Sequence, residues 1–179
     1  MKKLILLMLI FSNFSVLSQE IPVVKIGMTD NNLNATAIVD IPNKNSSEIY
    51  NSLLEWIAYN YTNTDEVIQA KVEDKMIRMN GISTSTIGPV MGFYFDLGYT
   101  LEFNIKDEKL RFIANNLEQI SQQSPYTRVS LSNLYNRKGE LRKAKRYSEV
   151  KQKVDSKLTE ILGAAIKYIN GEKSSDSDW

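Results

Sequence analysis

Between Met91 and Ile105 every odd-numbered position is apolar: Met91, Phe93, Phe95, Leu97, Tyr99, Leu101, Phe103 and Ile105. The even positions between them read Gly92, Tyr94, Asp96, Gly98, Thr100, Glu102 and Asn104. A period of two over such a length does not suit a helix; it describes one long strand, bent at Gly98, with one face buried and the other in water. Its apolar face must be covered, and its two edges need partners.

The neighbouring segments supply both. Ala35 to Ile41 alternates and gives a first strand, ended by Pro42-Asn43. Asn45 with Glu48 three residues on has the spacing of a capping box, and Ile49, Leu53, Trp56, Ile57 and Tyr61 recur at helical intervals behind it. A helix over 46–61 with Trp56 as a core anchor follows. Val67–Val72 and Met76–Ile82 read as a hairpin turning at Asp74-Lys75, with Gly81 marking a bulge or a close backbone approach. A Ser/Thr/Gly/Pro loop at 83–89 leads into the long strand. Lys106-Asp107-Glu108 turns it back into a last strand, Leu110–Leu117. The order of one strand, one helix and four strands as two hairpins predicts an α+β fold: an antiparallel sheet of about five strands covered on one face.

The flanks divide as follows. Residues 19–34 are a lead-in with a short edge strand at Val23–Ile26. Residues 119–140 are a polar connection. A long helix follows over 141–170, where Ala144, Tyr147, Val150, Val154, Leu158, Ile161 and Ala165 make a nearly heptad seam. Its first half, crowded with Arg142, Lys143, Lys145, Arg146, Lys151 and Lys153, is expected to project past the sheet edge. Asn170-Gly171 caps its end, and 171–179 is a disordered tail.

Residues 1–18 have a signal peptide's layout: Lys2-Lys3, then a mostly apolar run to Leu17, with cleavage expected between Ser18 and Gln19. Leu4 to Leu17 is 14 residues, short of the roughly 20 a spanning helix needs. The expectation is an exported protein, periplasmic or secreted, whose mature part of about 161 residues holds one domain with an appendage.

The chain has no Cys and no His. That removes disulfides, thiol nucleophiles, Ser–His and Cys–His pairs and ordinary zinc sites. Carboxylate, Lys, Tyr or Ser–Lys chemistry remains, so a catalytic role is not expected; neither a cofactor nor a metal site is read from the sequence. Asp96 and Glu102 would do acid–base work only if they met across a pocket. Ser148-Glu149-Val150-Lys151 has the Ser-x-x-Lys spacing of certain serine enzymes but sits inside a helix without their other motifs.

Charge is uneven. Residues 20–119 carry 8 Lys/Arg against 14 Asp/Glu, and residues 137–157 carry 9 against 3. The basic segment is either a solvated helix face or a dock for an anionic partner, membrane surface included.

Three stretches, "AIVDIPNKNSSEIYNSLLEWIAYNY", "VIQAKVEDKMIRMNG" and "YTLEFNIKDEKLRF", resemble a family of exported Bacteroidetes proteins, the domain of unknown function 4468. The resemblance spans about residues 35–118. It rests on Ile41-Pro42, Tyr50, Trp56, Val67-Ile68-Gln69, Asp74, and Lys106-Asp107 leading to Arg111. Asn43 stands where the family usually has Gly, and the Asp74-Lys75 turn is shorter and lacks its Gly. The resemblance implies a fold like that of TATA-binding protein, a curved antiparallel sheet with two helices on its convex side. It implies no activity.

A groove-binding saddle for DNA needs a basic sheet face with apolar wedges. Here that face would carry Asp40, Gln69, Lys71, Arg78, Asn80, Tyr94, Asp96, Thr100, Glu102, Arg111 and Asn115, a mixed set with one aromatic, so no nucleic acid is expected. Arg78, Tyr94, Asp96, Glu102 and Arg111 are the candidate binding residues, with Arg111 expected to be held by Glu102 across the hairpin. The sequence thus suggests a noncatalytic envelope domain that binds a small ligand or a protein. A homodimer through the helix seam or a sheet edge is one form of it.

Overall fold

The computed structural model describes residues 20–90, 92–123 and 125–172. The expected signal peptide lies outside them, as does the tail from residue 173. The elements are β1 (Gly27–Thr29), β2 (Asn32–Asp40), α1 (Ser46–Asn60), α2 (Thr64–Val67), β3 (Ile68–Val72), β4 (Met76–Val90), β5 (Phe93–Lys106), β6 (Lys109–Ser121), β7 (Arg128–Ser130), a 3-10 turn at Leu131–Leu134, and α3 (Lys145–Ile169). All strand pairs are antiparallel, in the order β1-β2-β6-β5-β4-β3, and β7 joins the outer half of β6. This is an antiparallel α+β sheet with helices packed on one face.

The alternation of β5 does what its pattern demands. Leu97, Tyr99, Leu101, Phe103 and Ile105 are buried, joined from neighbouring strands by Ile77, Met79, Leu110, Phe112 and Ala114. From α1, Trp56 meets Phe103 edge-on at 6.0 Å, and Phe103 meets Phe112 at 5.5 Å. Each such side chain contributes roughly 1.5–3 kcal/mol when fully buried. The start of α1 is a complete capping box: Glu48 N donates to Asn45 Oδ1 and Asn45 N to Glu48 Oε2, both at 2.9 Å. The β5–β6 turn also braces it, because Ser46 N donates to Asp107 Oδ1 at 2.8 Å. Asn43 has φ +61° and Asp74 φ +56°, so each departure from the family's Gly falls on a residue that tolerates the left-handed region.

Several expectations need correction. The loop at 83–89 is strand: β4 runs on to Val90 with register shifts between Ser83 and Ile87 and between Ile87 and Val90. Two extra β4 residues are taken up between Ser83 and Ile87, where Ser85 has φ +51° and its amide is held by Asp96 Oδ1 at 2.8 Å. Phe93 and Tyr94 are both half-exposed at the start of β5, Phe95 is partly buried against the core, and full burial begins at Leu97. The sheet has seven strands instead of five, since the polar stretch after Leu117 holds the end of β6, β7 and a hairpin closed by a Tyr135–Leu141 bridge.

Val23–Ile26 is no strand. It is extended backbone laid on α3, with Val24 N donating to Thr159 Oγ1 at 3.0 Å and Ile26 N to Asp155 Oδ1 at 2.8 Å. The long helix starts at Lys145, not at 141, and its first half does not project: Val150 and Val154 are buried and Lys153 Nζ donates to the Gly88 carbonyl. Its seam of Val150, Val154, Leu158, Ile161 and Ala165 is spent inside the chain's own core, so it does not present a dimer face. The C-terminal cap is as read, with Gly171 at φ +84° and its amide bonded to Tyr168 O.

Candidate functional site

The even-numbered side of β5 faces away from the helices. Register sets its content in rows. One row crosses Thr36, Ile113, Glu102 and Arg78; the next crosses Asn115, Thr100 and Asn80, with Asn34 of β2 one step beyond the Ala35–Ala114 pair. The first row holds an ion pair, the second only amides and a hydroxyl.

In the first row Arg78 Nη2 and Nε reach Glu102 Oε2 at 2.6 and 2.9 Å, and Asn104 Nδ2 donates to Glu102 Oε1 at 2.8 Å. The Asn104 hydrogen bond, and then Arg78, hold the Glu102 carboxyl below its ordinary range against the opposing effect of burial. Glu102 does not hold Arg111 as expected. Arg78 stands directly opposite Glu102, whereas Arg111 stands opposite Asn104, and direct neighbours are closer than diagonal ones. Arg111 is exposed and forms no ion pair among the described residues, and Ile38 beside it is also exposed.

In the second row Thr100 Oγ1 donates to Asn80 Oδ1 at 2.8 Å and accepts from Asn116 Nδ2 at 3.2 Å. Asn116 reaches back because it sits in a bulge of β6 at φ +48°. Thr100 is the one buried polar residue among those described, at 9 % exposure. The Asn115 Oδ1 beside it is buried without a hydrogen-bond partner in the protein. Asn34, Thr100, Asn115 and Asn116 floor a cleft of about 580 Å³, walled by the β1–β2 turn at Asn31 and Asn32, by Arg78, and by Ser130 and Ser132. Beside the apolar Leu33, Ile113 and Leu117, its polar groups are neutral donors or acceptors, and the one cation is already paired with Glu102.

Of the five candidate residues the structure brings Arg78, Glu102 and Arg111 to one region. Tyr94 and Asp96 belong to the far end of β5. Asp96 is six residues from Glu102, roughly 20 Å along a strand, so the two carboxylates do not meet. Asp96 is occupied with holding the β4 bulge, taking Ser85 N at 2.8 Å and Gln122 Nε2 at 2.5 Å. Ser148 and Lys151 diverge likewise: Ser148 Oγ donates to Lys145 O at 2.7 Å and Lys151 Nζ to Asp155 at 2.5 Å. No cluster of three potential metal ligands occurs among the described residues.

The candidate list lacked Asn31, Asn34, Asn80, Thr100, Asn115 and Asn116. A signal was available for part of it, since a solvent-facing strand row is more often charged than made of amides and threonine.

Comparison with known proteins places the fold. Residues 36–119 match the family described as "Domain of unknown function (DUF4468) with TBP-like fold". A crystal structure of a TBP-like protein from Parabacteroides distasonis ATCC 8503 superposes with a TM-score of 0.66 at 11% identity, over 80% of this chain and 96% of that one. A DUF4468 family protein from Bacteroides ovatus ATCC 8483 superposes with a TM-score of 0.55 at 11% identity, over 82% and 88% of the two chains. No curated protein sequence matches.

Proposed function

Residues 36–119 match the DUF4468 family with its TBP-like fold, and from that likeness we propose that the protein is an exported, noncatalytic binding module whose ligand sits on the open sheet face. The observation that carries this reading is the set of Thr100, Asn115 and Asn116 lining the 580 Å³ cleft, with Thr100 held from beside it by Asn80. A sheet face with no function has no reason to bury a threonine among amides. Water serves exposed polar groups well, whereas a buried acceptor without a donor costs about 1–3 kcal/mol. A row held in place by its own hydrogen bonds and by strand register meets a ligand with its orientation already fixed, which lowers the cost of binding.

The ligand fitted by this row is neutral and rich in donors and acceptors, for Arg78 is spoken for by Glu102 and no other cation lines the cleft. Export is supported by the Lys2-Lys3 and Leu4–Leu17 pattern. The noncatalytic reading is supported by the occupied carboxylate Asp96, the ion-paired Glu102 and the divergent Ser148 and Lys151.

The test is native mass spectrometry of the protein purified from its host's envelope fraction, at low and moderate salt. An added mass that survives salt, and that an Asn80→Ala/Thr100→Val variant loses while keeping its fold, supports the site. Bare protein under both conditions, or an added mass indifferent to that variant, removes the open face from consideration.

A further inference from the structure

The strongest cationic feature lies away from the sheet face, where the polypeptide enters α3. Arg137, Lys138, Arg142, Lys143, Lys145 and Arg146 are all exposed there. Two of them are organised. The Arg146 guanidinium lies 4.7 Å from the centre of the Tyr147 ring and donates to its hydroxyl at 2.8 Å. The Arg142 guanidinium stands 6.0 Å from the same ring, and its Nε donates to Tyr135 O at 3.2 Å.

No carboxylate forms an ion pair with either guanidinium among the described residues; nearby Glu149 is taken by Lys145 at 3.5 Å. Two like charges held around one ring repel each other, and only the ring face and these hydrogen bonds offset that. The start of α3 adds to it: Ala144 caps without a side-chain bond, and no acidic residue stands in the first turn. The hairpin carrying Arg137 and Lys138 is rigid, because Asn136 Oδ1 accepts from both Lys138 N and Glu140 N.

Beside Arg142 and Tyr147 runs a groove of about 320 Å³. Val129, Leu131 and Leu134 give it an apolar wall, next to Gln119, Ser130 and Asn133. A phosphate bearing an apolar tail suits that juxtaposition better than a free anion does, since planar guanidinium forks match phosphate oxygens and the groove takes the first carbons.

We propose that Arg142 and Arg146, stacked on Tyr147, clamp the phosphate of an anionic phospholipid, with the adjoining groove receiving the start of its apolar part. The site holds the protein at a membrane surface, and its groove adjoins the sheet-face cleft at Ser130, which lines both.

Vesicle co-sedimentation of the envelope-purified protein tests this, using phosphatidylcholine vesicles with and without phosphatidylglycerol. Binding is expected only with phosphatidylglycerol. Arg142→Gln/Arg146→Gln should weaken it about 25-fold, at about fivefold for each cation near the surface. Arg142→Lys/Arg146→Lys keeps the charge and loses the fork, and should still weaken binding several-fold. Lys71→Gln/Lys75→Gln, at the opposite sheet edge, should leave it unchanged. Circular dichroism melting confirms that each variant folds. Lysine variants that bind like the wild type would show diffuse charge attraction and overturn the clamp. No binding to phosphatidylglycerol vesicles, or equally tight binding to soluble glycerol phosphate, would overturn the lipid assignment.

Discussion

The Tyr99 ring lies across Gly81, its partner on the neighbouring strand, so closely that a Cβ on Gly81 would overlap Cε2, Cζ and the hydroxyl oxygen. The ring has little freedom to withdraw. Tyr99 is 5 % exposed, and its hydroxyl is hydrogen-bonded to that of Tyr61 at 3.1 Å. Gly81→Ala should therefore cost about 1–3 kcal/mol, the usual penalty for forcing a methyl into a filled core. Urea unfolding measures it. In a Tyr99→Ala background the same substitution should cost far less, because the two positions share one space; equal costs in both backgrounds would mean the strain lies elsewhere.

Helix α1 is held at its start by two separate acceptors, Asn45 Oδ1 and Asp107 Oδ1. Asn45→Ala should lower stability by about 1 kcal/mol, as other cap losses do. Asp107→Ala should cost a similar amount even though it lies 61 residues from its partner in sequence. Chemical denaturation of the two single variants checks this, and an Asp107 variant as stable as the wild type would show the turn to be independent of the helix.

The Glu102 carboxyl is held below its ordinary value, first by Asn104 and then by Arg78. A lowered folded-state value means that its stabilising effect is complete above the unfolded value, about 4.3, and is lost as pH falls through the lower folded one. Wild-type denaturation midpoints should drop more steeply below about pH 4.3 than those of Glu102→Gln, with the two curves nearly parallel above about pH 6. Identical acid limbs would show that Glu102 is unpaired in solution.

The segment around Val24 is bound to α3 through Thr159 and Asp155. Asp155→Ala removes the acceptor of Ile26 N and the partner of Lys151 together. The expected loss is about 1.5–3 kcal/mol, the range for hydrogen bonds to charged groups. Hydrogen exchange should quicken at Ile26 and in residues 20–26 before it quickens in β5. Unchanged protection at Ile26 would show that apolar packing of Val24 and Ile26 alone keeps the segment down.

Local chemistry made part of this fold legible before any coordinates. The Asn45–Glu48 box, the Gly171 cap, the Trp56 stripe and the buried odd face from Leu97 to Ile105 each depend on spacing within one segment. The open sheet face was legible as a face, but not the composition of its cleft. Asn34, Thr100 and Asn115 come from three strands, and only register aligns them. The same limit explains the misplaced partner of Glu102: Arg111 is the nearer of the two along the chain, yet the pairing of β4 with β5 sets Arg78 directly opposite.

What the sequence determined by itself is therefore the main elements, β2, α1, β5 and the body of α3, with their buried faces and caps, because these follow from period, propensity and bonds a few residues long. The tertiary structure decided where strands continue and what meets across them. Residues 83–90 look like a loop in isolation, yet Asp96 captures the Ser85 amide and lets the strand run on through a bulge. Val23–Ile26 looks like a strand, yet side chains from α3, more than a hundred residues away, take its amides instead. Backbone groups must be paired somewhere when they are buried, and the partner is set by which surfaces the folded chain brings together.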